Sequence, residues 1–178
     1  MNLICKLTDA DIGESFTEIK NPKLRTAARG IVIRDDGKIA VFHKANKNEF
    51  KLPGGGTENN ESPEQTFKRE VLEETGCVVD ILNQLGITEE YKCQVNFKQI
   101  STVFLGKVID DTTQLNVTQK EKDEGAELLW ETPEKALELI TDCFSKLKKS
   151  NYDSVYSTKF MVLRDRKILE YYIKNFKK

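Results

Sequence analysis

The sequence predicts a layered α/β or α+β fold, and three observations carry that reading. Short runs rich in β-branched and aromatic residues recur between residues 29 and 131. Three other segments, 62–75, the stretch opening at Thr132-Pro133 and about 154–175, carry helix signals instead. The two patterns alternate within 178 residues, a length that fits one domain, expected to span 1–178.

Each element has a local justification. Residues 29–44, RGIVIRDDGKIAVFHK, read as a hairpin, because two β-branched runs flank Asp35-Asp36-Gly37 and the glycine accepts positive φ. A glycine-rich loop follows over 53–61. The helix at 62–75 has a written start: Ser62 caps it, Pro63 suits its first turn, and Gln65 completes a Ser-x-x-Gln capping box. CVVDIL at 77–82 and KCQVNFKQISTVFLGKVI at 92–109 give two or three further strands. The polar stretch 110–124 reads as a mobile loop, and AELLWE at 126–131 as a strand. Thr132-Pro133 then opens a helix that carries Leu137, Ile140, Phe144 and Leu147 at helical spacing. The last helix aligns Val155, Val162, Leu169, Ile173 and Phe176 along one stripe, which either packs on the core or forms a dimer seam.

Composition narrows the function classes. Lys and Arg number 28 and Asp and Glu 29, a net charge of −1, so no global basic field points to nucleic acid or to an anionic membrane. No apolar run approaches the roughly 18 residues of a membrane helix. The N-terminus shows no basic segment followed by an apolar one. Cys5, Cys77, Cys93 and Cys143 form no Cys-x-x-Cys pair, and His43 has no cysteine nearby, which argues against zinc. Reduced thiols and a cytoplasmic location are expected.

The stretch GGGTENNESPEQTFKREVLEETGC, 54–77, concentrates the chemistry. At about 100° per residue, Phe67 and Val71 face the core. With Phe67 at zero, Glu73, Glu70 and Glu74 fall near 240°, 300° and 340°, one arc of about 100° beside the apolar stripe. Like charges at this spacing repel, and partial burial worsens the conflict. A divalent cation resolves it, and hard oxygen ligands suit Mg²⁺ or Mn²⁺. Arg69, four residues before Glu73, can bridge to it and fix its rotamer. On the helix alone a solvated acidic face fits as well. The glycines immediately upstream, which let backbone approach a ligand, shift the balance toward a site.

Gly55, then Glu61, then Arg69-Glu70-Val71-Leu72-Glu73-Glu74-Thr75-Gly76-Cys77 resembles the complete Nudix box, G-x5-E-x7-R-E-U-x-E-E-x-G-U with U a bulky aliphatic residue. Cys77 is the one soft departure, and a free cysteine behaves as a small buried hydrophobe. The surrounding hairpin and strands resemble the same domain over about 25–145. The resemblance implies an α/β/α sandwich with a mixed β-sheet between helices, plus a C-terminal helical extension at about 154–176. It also implies Mg²⁺- or Mn²⁺-dependent hydrolysis of a nucleoside diphosphate linked to another group.

From the resemblance, Glu70, Glu73 and Glu74 are the expected metal ligands, with the Gly54 or Gly55 carbonyl adding another, and Arg69 supports them. Glu124, six residues before Trp130, is the expected general base, with Glu121 and Glu127 as substitutes and Glu70 itself as a further option. Lys44, Gly55 and Gly56 are expected on the substrate's phosphates. Phe50 either stacks on a base or belongs to the core, and His43 is read as structural. The expected partner is a small nucleotide, with a monomer and a homodimer both open. The first expectation is a (deoxy)nucleoside triphosphate cut to monophosphate and pyrophosphate. A nucleotide sugar or ADP-ribose comes second, and a noncatalytic nucleotide sensor is a further alternative. An isomerase of isoprenoid diphosphates finds no support in an uninterrupted box.

Overall fold

A computed structural model describes residues 2–58, 60–111 and 118–177. A mixed sheet of eight strands runs in the order β1-β6-β7-β2-β3-β4, with β5 pairing β2 and β8 pairing β3. The strands are β1 (Leu3–Leu7), β2 (Lys23–Ile33), β3 (Ile39–Lys44), β4 (Glu49–Lys51), β5 (Gly54–Gly56), β6 (Cys77–Lys92), β7 (Phe97–Asp111) and β8 (Ala126–Glu131). The helices are α1 (Pro63–Thr75), α2 (Gln119–Asp123), α3 (Pro133–Cys143) and α4 (Val155–Asn175). β1 runs parallel to β6 and β2 parallel to β7, while the remaining pairs are antiparallel.

Period-two alternation divides the core between the two faces. Ala28, Val32, Ala40 and Phe104 point to one side and bury against Phe67 and Val71 of α1. Their neighbours Ile31, Ile39, Val41 and Val103 point to the other and meet Ala136 and Ile140 of α3 and Val162, Ile168 and Leu169 of α4. The sheet is therefore sandwiched, as expected, and of the C-terminal stripe Val162 and Leu169 are buried in the core while Ile173 and Phe176 pack against it. No helix among the described residues is long and apolar enough to cross a membrane.

Local details match most of the sequence reading. The hairpin turns at Gly37, whose φ is +79°, and the Arg34 amide donates to the Lys38 carbonyl at 2.9 Å. Ser62 and Gln65 form the reciprocal capping box. Thr132 caps α3 through the Lys135 amide, with Pro133 in the first turn. α3 ends at Cys143, so Phe144 lies in a 3-10 turn beyond it and Leu147 in extended chain, though both still pack on the core.

Four features differ from the expectation. The glycine-rich loop contains a short strand, because Gly54–Gly56 hydrogen-bond to Ala27–Arg29 of β2. β6 runs through to Lys92 rather than stopping at residue 82, carried past Gln84–Gly86 by register shifts. The N-terminal residues supply the edge strand β1. Within 110–124 a capped helical turn, α2, replaces a loop; residues 112–117 of that stretch lie outside the described residues.

Candidate active site

β5, the N-terminal half of β2, the last turns of α1 and the middle of α4 surround a cavity of about 440 Å³. Gly54, Gly55 and Gly56 form part of its wall, and Glu70 and Glu74 open onto it. The glycines are there for contact distance. A Cβ on Gly55 would fall 2.3 Å from Glu70 Oε1, so only bare backbone lets the strand lie against that carboxylate.

The three helix carboxylates are not equivalent. Side-chain exposure is 41% for Glu73, 14% for Glu70 and 5% for Glu74. Glu74 is inside, its oxygens held by Lys51 Nζ at 2.5 Å and the Gly54 amide at 2.9 Å. Burial alone would lower the Lys51 pKa, but the Glu74 carboxylate outweighs it and raises it. Glu70 takes a hydrogen bond from Arg69 Nη1 at 2.9 Å. Glu73 takes a longer one from the same nitrogen, 3.2 Å, and does not line the cavity.

Arg69 does more than bridge to Glu73. Its Nε and Nη2 grip both oxygens of Glu61 at 2.7 and 3.1 Å, and Nη2 also donates to the Gly56 carbonyl at 2.9 Å. Glu61 is pulled down to about 2 by Arg69, helped by the Glu58 amide and Thr66. One guanidinium thus ties the end of β5 to the carboxylate helix. Arg69→Ala should lower kcat about 10- to 100-fold and speed amide exchange at Gly55–Thr57. An unchanged exchange rate would mean that Arg69 does not hold the strand.

Other expected residues are placed as follows. Lys44 lines the cavity and donates to Glu124 Oε2 at 2.8 Å. Glu124, the expected base, lies behind Lys44. It is 1% exposed and absent from the cavity wall, and its second oxygen accepts from Ser150 at 2.7 Å. Burial opposes its charge, yet Lys44 and Ser150 outweigh that and hold its pKa below the ordinary carboxylate value. Glu121, one turn earlier in α2, lines the cavity instead. Glu127 pairs with His43 Nδ1 at 2.6 Å. Phe50 is not on the cavity wall: it stacks on His43 with centroids 4.0 Å apart and packs against the larger core cluster.

Among the described residues, no three His, Cys, Asp or Glu side chains converge as a metal cluster. Lys51 and Arg69 neutralise Glu74 and Glu70 in their place. The donor chemistry nevertheless fits a hard dication, because every candidate ligand at this end of the cavity is an oxygen: two carboxylates and the backbone pressed against one of them.

The cavity is strongly cationic. Its described wall carries seven lysines and arginines against four carboxylates. Sequence reasoning named only Lys44 among them and missed the other six, Lys51, Arg29, Lys92 and Arg164 included. Arg164 left a signal, since it sits on the buried stripe of α4 between Phe160 and Ile168, where an unneeded charge would be costly. Arg29 likewise interrupts a buried strand run.

Glu90 is buried among these cations and receives Gln99 Nε2 at 2.6 Å and Arg164 Nη1 at 3.2 Å. Burial alone would raise its pKa, but Arg164, Lys92 and Arg29 outweigh burial and hold it at about 2, against an ordinary 4.5. A depressed carboxylate stabilises the fold fully above the ordinary value and loses that contribution as pH falls toward the folded one. Urea midpoints should therefore drop between pH 4.5 and about 2, and Glu90→Gln should flatten that slope. Equal slopes in the two proteins would remove Glu90 from the account. Glu61 shares the window and will leave a residual slope.

A model of the NUDIX domain matches residues 23–149. The chain belongs to the Nudix family. A Nudix hydrolase from Nitrosomonas europaea superposes with a TM-score of 0.54 at 18% identity, covering 73% of this chain and 95% of that one, a likeness of fold. In sequence the Nudix segment is 37% identical over 71 residues to a MutT-like protein of Streptomyces ambofaciens, covering 39% of this chain and 46% of that protein. It is 31% identical over 99 residues to an ADP-ribose pyrophosphatase of Methanocaldococcus jannaschii, covering 54% and 59%. The chain thus spans about half the length of the curated relatives it matches.

Proposed function

We propose that this Nudix protein is a divalent-metal-dependent pyrophosphohydrolase acting on small nucleotides, with a (deoxy)nucleoside triphosphate cut to monophosphate and pyrophosphate. The observation that carries the reading is one cavity in which carboxylates meet a surplus of lysines and arginines. Carboxylates alone would repel a polyphosphate, and cations alone would bind it without activating water.

Glu70 and Glu74, with the Gly54 or Gly55 carbonyl, would hold Mg²⁺ or Mn²⁺, and Glu73 would support them from outside through Arg69. The bound ion supplies charge neutralisation of the phosphates and acidifies water. Lys44, Lys51 and the bare backbone of Gly55 and Gly56 position the anhydride. The oxygen of water attacks one phosphorus, the anhydride P–O bond breaks, and the leaving phosphate carries away the electron pair. Glu121, on the cavity wall, accepts the water proton, with Glu124 fixing Lys44 from behind.

The test is product analysis on a panel of ATP, GTP, the deoxynucleoside triphosphates, ADP-ribose and UDP-glucose, with Mg²⁺ and with EDTA. Monophosphate and pyrophosphate should form from triphosphates only with the metal. Intact substrates throughout would overturn the reading in favour of a noncatalytic sensor. ADP-ribose is the second reading, favoured by the likeness to the ADP-ribose pyrophosphatase of Methanocaldococcus jannaschii.

A further inference from the structure

Lys51 and Arg69 counter the helix carboxylates, but a second group of cations in the same cavity is not balanced. Arg29 of β2, Lys92 at the end of β6 and Arg164 of α4 all line it and are at most 9% exposed. Arg164 lies beyond residue 149, where the family match stops, so this wall is completed by a helix that the domain pattern does not include.

Two carboxylates contact the group, and Glu74, already paired with Lys51, acts on Arg29 from farther off. Glu90 contacts Arg164 at 3.2 Å and Lys92 at 3.4 Å. Asp165 accepts from Arg164 Nε at 2.8 Å and spends its other oxygen on the Leu52 amide at 3.0 Å. Three positive charges thus meet two negative ones. Arg29 has no carboxylate within ion-pair distance among the described residues, and its buried Nε has no hydrogen-bond partner. The buried Nη2 of Arg164 is unpartnered as well. Leaving buried guanidinium donors unsatisfied costs free energy that a resident anion would recover. Burial draws the Arg29 pKa down to about 10, with Arg164 pushing the same way, so it is still charged at neutral pH.

The position of Arg29 links this group to the carboxylate end. Arg29 pairs with Gly54 in the β2–β5 ladder, and a Cβ on Gly54 would touch its side chain at 2.4 Å. On its other side it senses Arg164, Asp165 and Glu90. Arg29 thus stands beside β5, on the same cavity wall as Lys92 and Arg164.

We propose that Arg29, Lys92 and Arg164 form a subsite for the terminal phosphate of a substrate bearing three or more phosphates in line. This deepens the hydrolase reading and rests on it. Guanidinium groups suit a tetrahedral, doubly charged oxyanion, and the third cation of the group gives such an anion a charge to answer. A nucleoside diphosphate joined to a neutral sugar leaves the subsite unfilled.

Two measurements test it. First, calorimetric titration of the full chain in EDTA compares inorganic tripolyphosphate with pyrophosphate. Tripolyphosphate should bind at least about tenfold more tightly, and Lys92→Gln should erase most of that margin. Second, Lys92→Gln should raise KM for ATP about tenfold while changing KM for ADP-ribose less than about twofold. Tripolyphosphate binding no better than pyrophosphate in the wild type overturns the subsite and requires no variant to fold. So does an equal rise in KM for both nucleotides. If the wild type hydrolyses nothing, the hydrolase reading fails, and the tripolyphosphate titration still decides the subsite.

Discussion

Glu70→Gln should lower kcat on the protein's nucleotide substrate by about 10²–10⁴-fold while leaving its melting temperature within a few degrees of wild type. Glu70 opens onto the cavity, and the Gly55 backbone lies against its carboxylate. Its ionic partner among the described residues, Arg69, keeps both oxygens of Glu61 after the change, so folding loses little. The amide keeps the size of the side chain and removes only its charge. Turnover within about threefold of wild type would exclude Glu70 from the reaction. Loss of both turnover and fold would assign it a structural role.

The second large effect concerns the buried pair of Lys51 and Glu74. Lys51→Met leaves Glu74 in the interior without its counter-ion, a change that typically costs about 3–5 kcal/mol. For a chain of this size that corresponds to roughly 10 °C in melting temperature. The same variant carries a sharper expectation. A dication held at Glu74 replaces the missing lysine charge, so Mn²⁺ or Mg²⁺ should restore much of the loss, whereas the wild type should gain little. Thermal melts in EDTA and in millimolar Mn²⁺ read this directly. A Lys51→Met protein that melts like the wild type, or that gains nothing from the metal, would detach Glu74 from the metal site.

The helix carboxylates were legible because α1 is a regular helix, and angle on a helix sets depth. Glu74 was placed nearest to Phe67, Glu70 next and Glu73 farthest, and their burial follows that order. Glu73, expected as a ligand with the other two, lies farther round the arc and is off the cavity wall. The surroundings of Glu124 are set on a different scale. A capped helical turn in place of an open loop turns Glu124 inward to Lys44 and leaves Glu121 on the wall.

What the sequence concealed was contributed by distant elements. Lys51 and Glu74 stand on a strand and a helix with no local signal joining them. Arg29 and Arg164 are brought to one cavity by the layering of β2 against α4, 135 positions apart in sequence (164 − 29). Their buried charge marked them as unusual, but only the fold shows that they serve the same space. β1 was missed because five residues without turn signals carry little pattern, and its partner β6 extends through irregular register that breaks clean alternation.

The most direct test is crystallographic. Crystals of the full chain grown with Mn²⁺ and a nonhydrolysable nucleoside triphosphate analogue should give an anomalous peak bonded to carboxylate oxygens of Glu70 and Glu74, with the analogue's phosphates beside the glycine strand. A bound analogue with no manganese at those oxygens, or manganese bound elsewhere in the molecule, would contradict the account.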